Sequence, residues 1–478
     1  MSSNSKILRS VGIDIGSTTT HLVFSELTFE LDDEKHKFEI VGRDITYLSK
    51  ISLTPWEGSN NINVEKLSSF LFSQYKDAGY SPKDIDTGAI IVTGEAARRQ
   101  NAEKIVKMFS DQTGKFVCAT AGPNYEAVLA AHGSGAVERS EKDDVTIMNV
   151  DIGGGTSKIA IAHKGEVVDT ASIYVGARPI VIDKSGRVLR IETPANILAK
   201  TCGVQIVINK TISESDQRKI AAISAKCLCE LINRSQLSDV AKQLLVTSPL
   251  SYRGRIDRLT FSGGVAEYIY GCTTESYGDI GKTLGEAIRK ASETLGIPIL
   301  EPVEKIRATV IGVSQYTLQV SGNTTFISDS GLLPMRSVPV VSPDFASDLM
   351  TEDDIKAAIR KALEMHDVAE DSGDFALAFR RSVISHPSYE QMKTFGRAIL
   401  SAAGSKGKGR RTLVLVFEAD IGMGMGRVIH EELEPDCNLV SIDEIRLQDF
   451  NFVDIGEPEK KGNFIPVVIK SLVFPNQG

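Results

Sequence analysis

One short pattern occurs twice in this chain and limits its fold more than any other feature. Val11-Gly12-Ile13-Asp14-Ile15-Gly16-Ser17-Thr18-Thr19-Thr20 stands near the start, and Asn149-Val150-Asp151-Ile152-Gly153-Gly154-Gly155-Thr156-Ser157-Lys158 follows about one domain length later. Each reads apolar-Asp-Ile-Gly, then Ser or Thr. In each, an apolar stretch suited to a buried strand closes on glycine and resumes as a second apolar stretch, which predicts strand, tight turn, strand. Glycine lets the backbone turn and approach an anion closely, so that N–H groups can cradle phosphate oxygens. The hydroxyls add further donors. A carboxylate beside a polyphosphate is repelled unless a divalent cation lies between them, so Asp14 and Asp151 imply Mg2+, held through bound water. One such hairpin is a weak signal; two in the same order predict a duplicated fold that holds a polyphosphate between its halves.

With 478 residues the chain has room for about three domains. A formal net charge of −8 argues against nucleic acid as a partner, because phosphate backbones are met by a basic face, and against an anionic membrane surface. Met1-Ser2-Ser3-Asn4-Ser5-Lys6 leads into the first strand with no apolar signal region, and no apolar run reaches the roughly 18 residues of a spanning helix. The expectation is a cytoplasmic protein. The cysteines Cys118, Cys202, Cys227, Cys229, Cys272 and Cys437 are scattered. Only Cys227 and Cys229 are close, in a helical run where residues two apart diverge, so they read as buried thiols rather than metal ligands or a disulfide. The seven histidines show no metal-ligand spacing.

Periodicity and punctuation divide the chain at Glu138–Asp144, a charged link, and again near Ala308. The first unit predicts strands at 7–15, 20–27, 38–47 and 88–93, and helices at 64–79, 96–111 and 124–132. The second opens with the hairpin 145–162 and adds strands at 167–174, 203–208 and 257–261. Its helices run from Ser213 to Asn233, started by the capping sequence Ser213-Glu214-Ser215-Asp216, and from Gly281 to Leu295. The third predicts strands at 308–312, 316–320 and 324–328, helices at 351–365 and 388–403, and a flexible link at 404–409. A small closing α/β piece follows, built from 412–417, 426–434, 439–442 and 464–474. This alternation marks an α/β protein.

Ser262-Gly263-Gly264-Val265-Ala266-Glu267 follows a predicted strand and precedes a short helical stretch. Two glycines there let a flat ring or a phosphate lie on the backbone. Alone this is an ordinary turn; in third place after two phosphate hairpins it completes a set. With the three in this order, the chain resembles the actin, Hsp70 and sugar-kinase superfamily of ATPases. The resemblance implies a two-lobed actin-like (ribonuclease H-like) ATPase fold, each lobe on a five-stranded sheet, with a C-terminal α/β extension and Mg-ATP in the cleft. The lobes would be residues 1–140 and 141–307, and the extension 308–478. By this resemblance Asp14 and Asp151 hold the metal's waters. Gly16, Ser17, Thr18, Thr19, Gly153, Gly154, Gly155, Thr156 and Ser157 contact phosphates, and Gly263, Gly264 and Val265 form the adenosine platform. The superfamily's connecting helix carries an acidic residue or glutamine that positions the attacking water. Asn124–Gly135 fits that helix, with Glu126 in the position and Gly133 and Gly135 as the hinge of lobe closure.

Four further segments carry a narrower resemblance: Ile91–Asn101, Cys118–Asn124, Arg307–Gly312 and Pro466–Phe474. In these the chain looks like the ethanolamine ammonia-lyase reactivating factors. That resemblance implies a chaperone-like ATPase whose partner is ethanolamine ammonia-lyase, opened at the expense of ATP so that damaged cobalamin leaves and intact adenosylcobalamin enters. It also implies association with an ethanolamine-utilisation microcompartment. Oligomeric state is left open.

Three other readings compete. A sugar or polyol kinase of the same fold needs a carboxylate base aimed at a substrate hydroxyl; Asp169, Asp183 and Asp257 are available, though none lies in a motif. An actin-like scaffold would bind ATP without turnover, against which Asp14, Asp151 and Glu126 all stand. A dinucleotide site is suggested by Asp420-Ile421-Gly422-Met423-Gly424-Met425-Gly426-Arg427 with Asp443 beyond it, but the third glycine comes one residue early and the flanking carboxylates would repel a pyrophosphate. A strand–helix turn is the better account. Lys406, Lys408, Arg410 and Arg411 read as a solvated linker.

Overall fold

Three sheets succeed one another along the chain, each built from its own stretch of sequence. A computed structural model describes residues 5–16, 19–32, 37–57, 61–93, 116–302, 315–320, 325–345, 351–368, 374–380, 387–403, 412–443, 445, 447, 451–456 and 466–471. The expected helix at 96–111, the strand at 308–312, the link at 404–409 and its basic cluster lie outside these residues.

The first sheet comprises β1 (Ser5–Ile15), β2 (Thr19–Asp32), β3 (Lys37–Leu48), the short β4 (Ser52–Leu53), then, after the small hairpin β5 (Trp56–Glu57) and β6 (Asn61–Ile62), β7 (Thr87–Thr93) and β8 (Phe116–Ala121). The order is β3-β2-β1-β7-β8, antiparallel through the first three strands and parallel thereafter, with β4 on β2. Helix α1 (Val64–Asp77) starts at Asn63, whose side chain accepts from the Lys66 N–H. It lays Leu67, Leu71 and Tyr75 on Val11, Ile13, Leu22 and Phe24 of the sheet. Trp56 packs against the edge of the same core.

The chain then runs through α2 (Pro123–Gly133) and α3 (Ala136–Lys142) into β9 (Ile147–Ile152), β10 (Ser157–His163) and β11 (Glu166–Ile173). A small hairpin, β12 (Ile180–Ile182) and β13 (Val188–Ile191), precedes α4 (Thr193–Thr201), α5 (Glu214–Ile232) and α6 (Asp239–Leu244). Then come β14 (Arg258–Ser262), α7 (Ala266–Ile269) and α8 (Gly281–Ser292). The sheet order β11-β10-β9-β14, antiparallel twice and then parallel, repeats the first sheet's β3-β2-β1-β7. This repeated order is that of the two-lobed actin-like fold. Three details differ from the sequence expectation. The second sheet has four strands among the described residues, the fifth position holding one parallel bridge between Leu259 and Ile299. The charged link 138–144 is mostly α3, which buries Ala136, Val137 and Ser140 and turns its charges outward. The apolar run 203–208 is no strand: it leaves α4 as a loop and exposes Val207 and Ile208.

The third sheet is larger than the small closing piece expected. β15 (Gln315–Val320), β16 (Phe326–Ile327), β17 (Met335–Val341), β18 (Phe375–Phe379), β19 (Thr412–Phe417), β20 (Asn438–Ile442), β21 (Asn451–Ile455) and β22 (Pro466–Ser471) form one eight-stranded sheet in the order β15-β22-β21-β17-β18-β19-β20-β16. β17 to β20 run parallel, with α9 (Glu352–Met365), α10 (Tyr389–Ala403) and α11 (Gly422–Arg427) in the crossovers. Parallel strands buried on both faces read as unbroken apolar runs. Accordingly Phe375, Leu377 and Phe379 face the core under α9 and α10, while Ala376 and Ala378 join a second core with β21 and β22. Among the described residues no helix is long and apolar enough to cross a membrane.

Candidate functional site

The two hairpins correspond wherever both are described. Asp14 and Asp151 are each the penultimate residue of the central strand, β1 or β9. Each turn is closed in the same way, Gly16 N–H donating to Thr19 C=O at 2.9 Å and Gly153 N–H to Thr156 C=O at 3.0 Å. Across the hairpin Asp14 is paired with His21, and Asp151 with Lys158. Ser17 and Thr18 lie outside the described residues. The second turn is braced by the loop after β11, where Ala177 and Arg178 N–H donate to the carbonyls of Gly153 and Gly154. Its remaining donors, the N–H groups of Gly154, Gly155 and Thr156, have no protein acceptor among the described residues.

Lys158 was not singled out by sequence reasoning, and it is the centre of the site. Helix α2 leaves the first sheet and is buried on every side from Asn124 to Ala131. Its Ala127 and Ala131 pack on Ala160 and Ala162 of β10, and such small residues bring helix and strand close. Glu126, on the same helix, therefore reaches Lys158 and forms an ion pair with it. Asp14, Asp151, Glu126 and Lys158 are only 7, 4, 5 and 5 % exposed. Burial works to strip the Lys158 ammonium of its proton, but the charges of Glu126, Asp151 and Asp14 outweigh it and hold the group above its usual range. Asp151 is pushed upward by burial, opposed by Lys158 and by a hydrogen bond from Ser262. The available signal was a lysine in a strand otherwise suited to full burial, since lysine is almost never buried unless paired.

The Ser-Gly-Gly turn is fastened to the second hairpin. Ser262 is paired with Asp151 across the β14–β9 ladder, and its Oγ donates to Asp151 Oδ1 at 2.9 Å while accepting from Asn149 Nδ2 at 3.1 Å. Ser262 thus orients Asp151. Gly263 has φ +81°, and a Cβ there would lie 2.5 Å from the Ile152 carbonyl oxygen, so only glycine fits this close approach. Two expected contacts are already engaged within the protein. Ser157 is fully buried and its Oγ donates to Val175 C=O at 2.7 Å. Val265 is core, its N–H donating to Ile152 C=O. Both residues thus brace the turns of the site.

Among the described residues, the carboxylates of Asp14, Asp151 and Glu126 act together on the Lys158 ammonium in this buried cluster. Among the described residues no three His, Cys, Asp or Glu side chains converge as a metal cage. Mg2+ takes one or two carboxylates and keeps several waters, so the donor set fits it. The rival residues are otherwise engaged. Asp169 accepts from Ser251 and Tyr252 N–H, Asp183 from Ser185 and Arg187 N–H, and Asp257 from Thr146 N–H. Asp443 accepts from Gly422 N–H at 2.8 Å, filling the helix start that a pyrophosphate would need. The Cys227 and Cys229 thiols are pushed up to about 11 by burial, which leaves them protonated and inert.

Comparison with known proteins gives a consistent result. The family model described as ethanolamine utilisation protein EutA matches residues 6–475. An ethanolamine ammonia-lyase reactivase EutA from Salmonella typhimurium is 33% identical, over 99% of this chain and 100% of that one. The protein of the same description from Escherichia coli is 31% identical over the same shares. Among solved structures, ethanolamine utilization protein EutJ from Carboxydothermus hydrogenoformans is 15% identical, covering 64% of this chain and 88% of that one at a TM-score of 0.32. MreB 5 of Spiroplasma citri bound to AMPPNP is 13% identical, covering 65% and 95% at a TM-score of 0.33.

Proposed function

The chain belongs to the ethanolamine utilisation protein EutA family, and from that premise we propose that it is an ATP-dependent reactivating factor for ethanolamine ammonia-lyase. Its task would be to bind and hydrolyse Mg-ATP and so exchange damaged cobalamin in the lyase for intact adenosylcobalamin. The observation that carries the client is the match to two reactivases along essentially the whole of both chains. The reading includes work in the cytoplasm, beside or within an ethanolamine-utilisation microcompartment. Support for the ATP chemistry comes from the buried cluster of Asp14, Asp151, Glu126 and Lys158.

In this reading Asp14 and Asp151 would hold the metal, with Ser262 keeping Asp151 in orientation. Bound Mg2+ supplies the positive charge that allows a polyphosphate beside two carboxylates. The N–H groups of Gly154, Gly155 and Thr156 donate to phosphate oxygens, and the turn of Gly263 and Gly264 supports the adenosine. Glu126 accepts a hydrogen bond from the attacking water and turns its lone pair toward phosphorus. Lys158 fixes Glu126 by their ion pair and offsets negative charge at the reacting centre. Closure of the lobes about Gly133 and Gly135 excludes bulk water.

The test is rescue of cyanocobalamin-blocked ethanolamine ammonia-lyase by this protein with Mg-ATP and fresh adenosylcobalamin. Recovery of deaminating activity that requires ATP is the expected result. No recovery would overturn the proposal and return the choice to a kinase or an actin-like scaffold, and polyol-dependent release of ADP would decide for the kinase.

A further inference from the structure

Helix α2 carries Glu126 in its first turn, yet its own sequence cannot cap it. The N-cap is Gly122, which has no side chain, and Pro123 at the first helical position has no N–H. The first intrahelical bond runs from Glu126 N–H to Gly122 C=O at 2.9 Å. That leaves the N–H groups of Asn124 and Tyr125 to be satisfied from elsewhere. Tyr125 N–H donates to Asp367 Oδ2 at 2.7 Å, and the Asn124 N–H acts on the same carboxylate. Asp367 lies in the turn after α9, more than two hundred residues along the chain and in the third unit of the fold.

The same turn is fixed to α2 at two more points and to the loop after α6 at a third. Asn124 Nδ2 donates to Glu364 C=O at 3.0 Å, while Asn124 Oδ1 accepts from Thr170 Oγ1 on β11 at 3.0 Å. Tyr125 stacks on His366, with ring centroids 5.8 Å apart. Glu364 Oε1 accepts from Ser248 Oγ at 3.2 Å. Asp367 itself takes the left-handed conformation at φ +55° to present its carboxylate. The glycine at 122 belongs to this arrangement, because a Cβ there would lie 2.3 Å from the Asp367 Cβ. An ordinary capping residue at 122 is excluded by the side chain that replaces it.

We propose that Asp367 is a positioning residue for Glu126: by capping α2 from the C-terminal unit, it fixes the first turn of the helix and so couples that unit to the nucleotide site. The inference rests on Glu126 acting in ATP hydrolysis. A movement of the C-terminal unit that withdraws Asp367 frees two backbone donors at the base of the turn that aims Glu126, and hydrolysis slows. A carboxylate cap from a distant unit makes the helix start conditional on that unit being docked, which a local serine or aspartate at 122 would not do.

The test compares Asp367→Ala, Asp367→Asn and Gly122→Ala in the full chain. Single-turnover ATP hydrolysis, binding of a non-hydrolysable ATP analogue, and amide hydrogen exchange are measured on each. Asp367→Ala should slow hydrolysis by about tenfold, as small misplacements of catalytic groups do, with analogue affinity changed by less than about twofold. Asp367→Asn keeps an acceptor oxygen for both N–H groups and should restore most of the rate. Gly122→Ala, which displaces Asp367 without removing it, should reproduce the loss and keeps the question open to decision if Asp367→Ala does not fold. In a Glu126→Gln background the Asp367→Ala effect should vanish, because the two act through one group. An effect of equal size in both backgrounds, or unchanged exchange at Asn124 to Ala127, would overturn the proposal. If the wild type hydrolyses no ATP, the proposed function falls, and the exchange measurement still decides whether Asp367 orders the turn of Glu126.

Discussion

Lys158 is a single positive charge buried among three carboxylates, and its removal should be felt before any question of catalysis arises. Lys158→Met removes the ammonium that pairs with buried Glu126 and acts on Asp151 and Asp14. Removing one partner of a buried pair costs about 3 kcal/mol or more, so the melting temperature at pH 7 should fall by several degrees. The sign of its pH dependence follows. Asp151 is already raised by burial, and without the ammonium that opposes this it rises further in the folded protein and binds its proton more tightly there than in the unfolded chain. The variant should therefore regain stability as pH falls from 7 toward 5. A variant as stable as the wild type at pH 7, in a thermal melt followed by circular dichroism, would mean that Lys158 is not charged in the fold. At the same scale, Asp14→Ala and Asp151→Ala should each abolish ATP hydrolysis while leaving the circular dichroism spectrum intact. Wild-type turnover in both would remove these residues from the site. The two aspartates stand in motifs that the sequence displays, and Glu126 was placed by the resemblance. Lys158 and Ser262 were not, because their roles come from neighbours across a strand ladder and from a helix that no local pattern brings near them.

Elements were legible where one periodicity ruled a segment. α5 begins at Ser213 as its capping sequence requires, with the Ser213 side chain accepting from Asp216 N–H, and β1 and β2 form the hairpin that the first motif implied. They were obscured where two signals conflicted. β17 contains Pro339, which removes a ladder donor and reads as a break, although the strand pairs there with Phe452 of β21. β18 reads Phe-Ala-Leu-Ala-Phe, a sequence as suited to a buried helix as to a strand. The run 203–208 alternates like a strand but finds no sheet to cover it. The Ser-Gly-Gly turn gives an element-scale prediction. Gly263→Ala sets a Cβ against the Ile152 backbone at a positive φ, so it should destabilise by at least about 2 kcal/mol and loosen the join between β14 and β9. Urea denaturation read from the second sheet should register the loss; an unchanged midpoint would contradict the close approach.

On the scale of the whole molecule, α2 is the shared part. It follows the first sheet, packs on the second and is capped from the third. Asp367, at that last junction, is pushed up to about 6 by burial, against hydrogen bonds from Tyr125 and Asn124 and the nearby His366, with Glu126 raising it further. Its folded-state value lies above its ordinary 3.8, so the folded protein holds this proton more tightly than the unfolded chain. The resulting stability is fully present below about pH 4 and is lost as pH rises through about 6. Asp84, Asp183, Asp216 and Asp354 are lowered by hydrogen bonds and slope the other way, so the check is a difference: melting temperatures of wild type and Asp367→Asn, taken from pH 4 to 7, should converge at the high end relative to a wild-type excess at the low end. Parallel curves would show that Asp367 does not titrate in this window. Local pattern by itself determined the duplicated hairpins, their order and the α/β class, because each is written in a few adjacent residues under one backbone constraint, while Glu126 was placed by resemblance. Only the tertiary structure decided that a lysine from one hairpin neutralises a helix of the other unit, that serine 262 aims Asp151, and that an aspartate from the last sheet completes a helix start near the middle of the chain. Those choices depend on which buried polar group meets which partner, and burial brings together residues that no sequence spacing relates.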